Sequence, residues 1–205
     1  MKYPFIFLLT ALVFTQLTGC SYIDHNAKLQ YPPSTESPAL SSLDHWKLNA
    51  KLGIRSAQKA QSISLIWQQL GTNYSIKLQG PIGFGSATID GNQQQATIQQ
   101  GSKNLTGAPD NLSAELLGVP LSIEAMNWWV KGLASPNHST AANIVIQENG
   151  QLSSFEQNGW QLQFSGYSKN GPYLLPKKIS GRRGELSFKL VINQWNFPVK
   201  NLSPK

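Results

Sequence analysis

The chain has one cysteine, three histidines and ten acidic residues among its 205, and each shortage removes a class of function. Cys20 has no second cysteine to pair with, so an intramolecular disulfide is excluded. His25, His45 and His138 stand far apart, and no two have the spacing of metal ligands. The Asp and Glu residues are scattered, so a carboxylate pair for glycoside chemistry would have to be assembled by the fold. No Gly-x-Ser-x-Gly elbow marks a hydrolase nucleophile. Gly80-x-x-Gly83-x-Gly85 departs from the dinucleotide fingerprint, and no helix pattern follows it. Runs of Lys and Arg never exceed two residues, which argues against nucleic acid as a partner. The longest apolar run, Phe5 to Phe14, is half the about 20 residues that a membrane-crossing helix needs. No internal repeat is visible.

What is present begins with that short run. Lys2 followed by Phe5–Phe14 fits the charged and apolar regions of a secretory signal. The signal ends in Leu17-Thr18-Gly19-Cys20, which resembles a bacterial lipobox. The resemblance implies cleavage before Cys20, a diacylglycerol on its sulfur and an acyl group on its freed amine. Two or three acyl chains anchor stably where one would be marginal. Ser21, in place of the Asp that retains such proteins in the inner membrane, implies the outer membrane. The predicted organisation is a signal at 1–19, a lipid-anchored tether at 20–42 and a single domain at 43–205. The tether reading rests on Pro32, Pro33 and Pro38 among Ser and Thr. A short helix is expected near Leu43–Trp46. Loss of Lys2 with the signal lowers the formal charge from +7 to +6, a mildly basic balance suited to an acidic partner or anionic head groups.

From Trp46 the apolar period is two. Trp46, Leu48, Ala50, Leu52 and Ile54 alternate with polar residues or glycine, as in a half-buried strand. Ile63-x-Leu65-x-Trp67 and Tyr74-x-Ile76-x-Leu78 repeat the pattern. Further strands are expected at Ala87–Ile89 and Gln95–Gln99, joined through Asp90-Gly91-Asn92. Asp110 is placed to cap a helix carrying Leu112, Leu116 and Leu117, stopped by Gly118 and Pro120. Ser122 is placed to cap a second, with Ile123, Met126, Trp129 and Val130 on one side and Gly132 after it. Strands resume at Ile144–Ile146, Leu152–Phe155, Trp160–Phe164 and Leu186–Ile192. Many antiparallel strands with a helical insert predict a curled sheet or open barrel with helices over one side.

Two features stand out against this frame. Gly80-Pro81-Ile82-Gly83-Phe84-Gly85 joins two strands, yet places large apolar side chains in a turn, where polar residues are usual. Six tryptophans exceed what the length requires; they either fill a core or line a cavity on the concave face of a curled sheet.

Quoted in order, "LNAKLGIRS" from Leu48, "IWQQLGTNYSIKLQGPIGFG" from Ile66, "NWWVKGL" from Asn127, "NGWQLQFSGY" from Asn158, "LPKKI" from Leu175 and "FKLVINQW" from Phe188 span nearly the whole domain. With Leu17–Cys20, this series resembles the LolB family of outer-membrane lipoprotein receptors. The resemblance implies an α+β fold: an incomplete antiparallel β-barrel covered by helices and enclosing a hydrophobic cavity. It implies a receptor that takes acylated lipoprotein cargo from the periplasmic carrier LolA and inserts it into the outer membrane without ATP. Candidates for lining the acyl-chain cavity are Trp67, Tyr74, Ile76, Leu78, Trp129 and Trp160. The family's membrane-directed loop carries an exposed leucine in an Asn-Pro-Leu-Gly setting. Gly80, Pro81, Ile82 and Gly83 match it here, with Ile82 for the leucine and Phe84 nearby. Lys47, Lys51 and Arg55 either face an acidic rim of the carrier or form a solvated strand face. No cofactor or metal is expected beyond the acyl and diacylglycerol groups on Cys20, and a monomer acting at the periplasmic face is expected. The alternatives are a lipid-anchored envelope assembly protein without acyl transfer and, from another class, a tethered enzyme.

Overall fold

The computed structural model describes residues 40–81 and 85–197. The predicted signal, Cys20, most of the predicted tether, and Ile82, Gly83 and Phe84 lie outside the described residues. A single 3-10 turn, Leu40–Ser42, leads into six strands: β1 (His45–Arg55), β2 (Ala60–Leu70), β3 (Asn73–Gln79), β4 (Ser86–Gly91), β5 (Ala96–Gln100) and β6 (Lys103–Gly107). Two helices follow, α1 (Pro109–Leu117) and α2 (Ile123–Trp129). The rest is β7 (Ala142–Ile146), β8 (Leu152–Gln157), β9 (Trp160–Ser165), β10 (Ser168–Asn170), β11 (Tyr173–Leu175), β12 (Lys178–Arg183) and β13 (Leu186–Asn196).

Eleven strands form one antiparallel sheet in the order β6-β5-β4-β3-β2-β1-β13-β12-β9-β8-β7, while β10 and β11 pair as a separate hairpin. The sheet is open, with β6 and β7 as its edges. Its middle is made where the first strand meets the last. The helices come between the two edge strands in sequence and lie over the apolar face, which Trp46, Leu48, Leu52, Ile63, Leu65 and Ile89 help to build. The expected open barrel with helices over one side is the observed fold.

The alternation explains why one face is dry. Strand β1 buries every second residue from Trp46 to Ile54 and exposes Lys47, Lys51 and Arg55 on the other side. Strand β13 keeps this phase from Phe188 to Ile192, then shifts. A register irregularity opposite Asn49 and Ala50 inserts Asn193, and an extra residue reverses the faces of those beyond it. Trp195 thereby reaches Trp46, ring centroids 5.2 Å apart. Tight packing sets one glycine: a Cβ on Gly181 would fall 2.3 Å from Cε1 of its cross-strand partner Phe188.

Four local expectations differ from the structure. Leu43–Trp46 is not helical. Leu43 N–H closes a single turn on Leu40 O at 3.2 Å, and Trp46 falls in the inward phase of β1. The first helix is capped by Ala108, not Asp110, because Pro109 takes the first helical position, where a missing N–H costs nothing. Asp110 still sits in the first turn, where the helix dipole favours its charge. The β4–β5 connection turns at Asn92–Gln95, with Asn92 Oδ1 accepting from the N–H groups of Gln94 (2.8 Å) and Gln95 (3.0 Å). Strands β6, β10, β11 and β12 have no counterpart in the sequence reading. Ser122 does cap α2, accepting from Ala125 N–H at 3.3 Å, and Gly118 does end α1 in the left-handed region at φ 72°.

Candidate functional site

Between the sheet and the two helices lies an apolar cavity of about 50 Å³. The sheet supplies Leu65 and Trp67 from β2 and Ile76 and Leu78 from β3, paired across the strands as Leu65 with Leu78 and Trp67 with Ile76. Leu117, Leu121, Ile123 and Met126 form the roof. Ser113 is the polar exception in this wall, and its hydroxyl is used up: it donates to Leu121 O at 2.7 Å and lies 2.9 Å from Asp110 O. The roof is tied to the sheet by Gln61, whose Nε2 donates to Leu117 O at 3.1 Å. As observed, the space admits a few water-sized groups.

A larger and more polar cleft of about 410 Å³ adjoins the cavity. They share Ile123, and the inward positions of two strands pass from one to the other: Trp67 then Gln69 on β2, Ile76 then Tyr74 on β3. Gln69 marks the change of wall. It accepts from Trp67 Nε1–H at 3.1 Å and donates to Gly71 O at 2.9 Å. Beyond it, Lys131 is buried at 3% exposure. Its Nζ donates to Leu43 O at 3.1 Å and stands 4.4 Å above the Trp128 ring. Burial pushes the Lys131 ammonium down to about 8, against a smaller upward pull from Asp44. Burial pushes the Tyr74 phenol up to about 12, and the charge of Asp110 adds to this.

The six sequence candidates therefore separate. Trp67, Ile76 and Leu78 meet at the apolar cavity, and Tyr74 lines the cleft beside it. Trp129 and Trp160, both fully buried, pack on two sides of Phe188 with centroids at 6.3 and 5.2 Å. They border a third hollow, of about 330 Å³, together with Ser122, His138 and Arg183. His138 Nε2 lies 3.3 Å from Ser122 Oγ there, and Ser135 Oγ, not a carboxylate, lies 2.8 Å from Nδ1. The Ser122 oxygen is committed to capping α2. Among the described residues no group of His, Cys, Asp and Glu could hold a metal, and no helix is long and apolar enough to cross a membrane.

Of the loop candidates, Pro81 is exposed. The loop is closed at its base, with Gly80 N–H donating to Gly85 O at 2.9 Å. Asn127 and Lys131 were missed as cleft residues by the sequence reading. The signal for Lys131 was a single charge inside the apolar "NWWVKGL".

The family model described as outer membrane lipoprotein LolB matches residues 44–195, from just before β1 to the end of β13. The chain belongs to the LolB family. It is 34% identical over 158 residues to the outer-membrane lipoprotein LolB of Pseudomonas fluorescens, covering 76% of each chain. It is 32% identical over 206 residues to that of Pseudomonas syringae pv. syringae, covering 95% of this chain and 96% of the relative. Among solved structures, the fold is similar to a LolA superfamily protein of Nitrosomonas europaea, with TM-score 0.53 and 8% identity over 75% of this chain and 86% of the other. It is also similar to a putative outer membrane lipoprotein-sorting protein domain of Vibrio parahaemolyticus, with TM-score 0.51 and 10% identity over 81% and 89%. At such identities the likeness is one of fold.

Proposed function

We propose that this LolB-family protein is an outer-membrane receptor, anchored through Cys20 on the periplasmic face, that accepts lipoproteins from the carrier LolA and passes them into the membrane. It holds their acyl chains and catalyses no reaction. The observation that carries this reading is the apolar cavity walled by Trp67, Ile76 and Leu78 under the α1–α2 roof. Acyl chains leave water at about 0.8 kcal/mol per CH₂, so transfer from one apolar enclosure to another avoids most of that cost. At about 50 Å³ the cavity is far smaller than an acyl chain. Uptake therefore requires the roof to move, and the tie at hand is the Gln61–Leu117 hydrogen bond.

The loop at Pro81–Phe84 is the second part of the proposal. Burying one Ile is worth roughly 1.5–3 kcal/mol, too little to anchor a domain beside two or three acyl chains. Ile82 is better suited to guiding release of cargo, with the loop base fixed by Gly80 and Gly85. The exposed Lys47, Lys51 and Arg55 offer a basic outer face to the carrier.

The test is transfer of a radiolabelled lipoprotein from purified carrier to this protein, with liposomes added afterwards. Transfer followed by insertion is expected, and cargo that stays on a competent carrier would overturn the receptor reading. Ile82→Glu is expected to accept cargo normally and to insert it poorly; normal insertion by this variant would remove the loop's role.

A further inference from the structure

The cleft beside the cavity holds polar groups that its own structure leaves without partners. Tyr74 is 8% exposed, and its hydroxyl is buried with no hydrogen-bond partner. Asn127 Oδ1 is likewise buried and unsatisfied. Both residues line the cleft, and so does the buried ammonium of Lys131, which spends one of its three donors on Leu43 O. Buried polar atoms are nearly always paired, so an unpaired donor and an unpaired acceptor on two residues that line one hollow point to a ligand that supplies both.

The chemistry of that ligand follows from the lining. A hydroxyl and an ammonium match carbonyl oxygens, and an amide oxygen matches an N–H. The charged residues of the wall are Asp44, Asp110, Glu124 and Lys131, three acids against one base. That balance opposes a phosphate and suits a neutral head. The position follows from the shared Ile123 and the continuous inward rows of β2 and β3, which place the cleft at one end of the apolar cavity.

We propose that this cleft is a head-group subsite that takes the neutral N-acyl, S-glyceryl cysteine head of an acylated protein, while its chains occupy the adjoining cavity. Tyr74 and Lys131 donate to ester or amide carbonyls, and Asn127 Oδ1 accepts from an amide N–H. The proposal rests on the lipoprotein-receptor reading and adds to it a means of telling a lipoprotein from a phospholipid.

The experiment uses the full-length protein in nanodiscs and a tripalmitoylated S-glycerylcysteine peptide. A photoreactive group sits either on the cysteine amide or at the end of one acyl chain. Mass spectrometry then maps the crosslinks. The head label is expected on the segments around Tyr74, Asn92–Gln94 and Asn127–Lys131, and the tail label around Trp67, Ile76 and Leu78. Head crosslinks elsewhere, with tail crosslinks in the cavity, would overturn the subsite and leave the receptor reading standing. The absence of both from cavity and cleft would overturn both. Phosphatidylglycerol labelled on its head group should mark the cleft weakly; equal marking would make it a general lipid site and overturn the proposal. Tyr74→Phe and Asn127→Leu are each expected to lower the head-label yield about five-fold. Labelling by a tail-labelled palmitate should be unchanged, which also reports an intact cavity. Unchanged head labelling in both variants would overturn the assignment.

Discussion

Two buried polar sites flank α2, and they are finished to different degrees. On one side the Gln157 amide, 2% exposed, is fully used. Its Oε1 accepts from Trp129 Nε1–H and Ser135 N–H, both at 2.9 Å, and its Nε2 donates to Ser135 O and Ser139 O, both at 2.8 Å. On the other side the cleft leaves the Tyr74 hydroxyl and Asn127 Oδ1 open and keeps an ammonium out of water. The same chain satisfies a side-chain amide completely in one place and not in the other. A closed network stabilises the fold that contains it. An open one costs stability until something fills it, and that is the pattern expected where structure gives way to binding.

The largest effect should come from the closed site. Gln157→Leu strands an indole N–H, a backbone N–H and two carbonyls, and is expected to cost about 4 kcal/mol, read as a fall in the urea midpoint at constant slope. A change below about 1 kcal/mol would mean that water replaces the amide and that the two sites are alike.

The open site should respond to pH. Lys131 is lowered from 10.5 to about 8, so between these values the unfolded chain binds the proton that the folded one has released. Stability contributed by this group therefore rises as pH goes from 8 towards 10.5, by about 3 kcal/mol in full. Lys131→Met should remove that rise. Parallel profiles of wild type and variant would place Lys131 in a wetter setting. Tyr74 acts in the opposite sense. Its phenol is raised from 10.0 to about 12, so stability falls as pH goes from 10 towards 12, and Tyr74→Phe should abolish the fall.

The smallest effect is the most telling. Near neutral pH, Tyr74→Phe removes a hydroxyl that has no partner, and should leave stability unchanged or raise it by about 1 kcal/mol. A loss of that size would instead mean that the hydroxyl is bonded without ligand.

Much of this was legible before any coordinates. The strands of the meander announce themselves because Trp46, Leu48, Ile63, Leu65, Ile76 and Leu78 repeat every second residue against one dry face. Ser122 read as a cap because it stands just ahead of Ile123, Met126, Trp129 and Val130, which share one side of a helix. Strand β6 escaped because Lys103–Thr106 are all exposed and carry no alternation. Strand β12 escaped because "KISGRR" mixes a glycine with three bases; the glycine is there to make room for its cross-strand partner Phe188 on β13. The cavity trio of Trp67, Ile76 and Leu78 sits on neighbouring strands, so local pattern brought them together. The position of Trp129 and Trp160 around Phe188, and the meeting of Tyr74 with Asn127 and Lys131, depend on how α2 crosses the sheet, which no local period encodes.

The sheet's middle seam has a consequence for how the chain is made and policed. Lys47 pairs with Asn196 and Arg55 with Ser187, so the centre of the sheet waits for β13, the last of its strands in chain order. The first six strands are a continuous meander, and within the sheet the second half is joined to them through β13. A chain cut before Leu186 is then not a shortened protein but two half-sheets with no shared spine, each offering unpaired backbone to its neighbours. Long-range closure of this kind is slow to nucleate. A nonsense mutation or a protease nick ahead of β13 should accordingly eliminate the folded protein as thoroughly as one in β1.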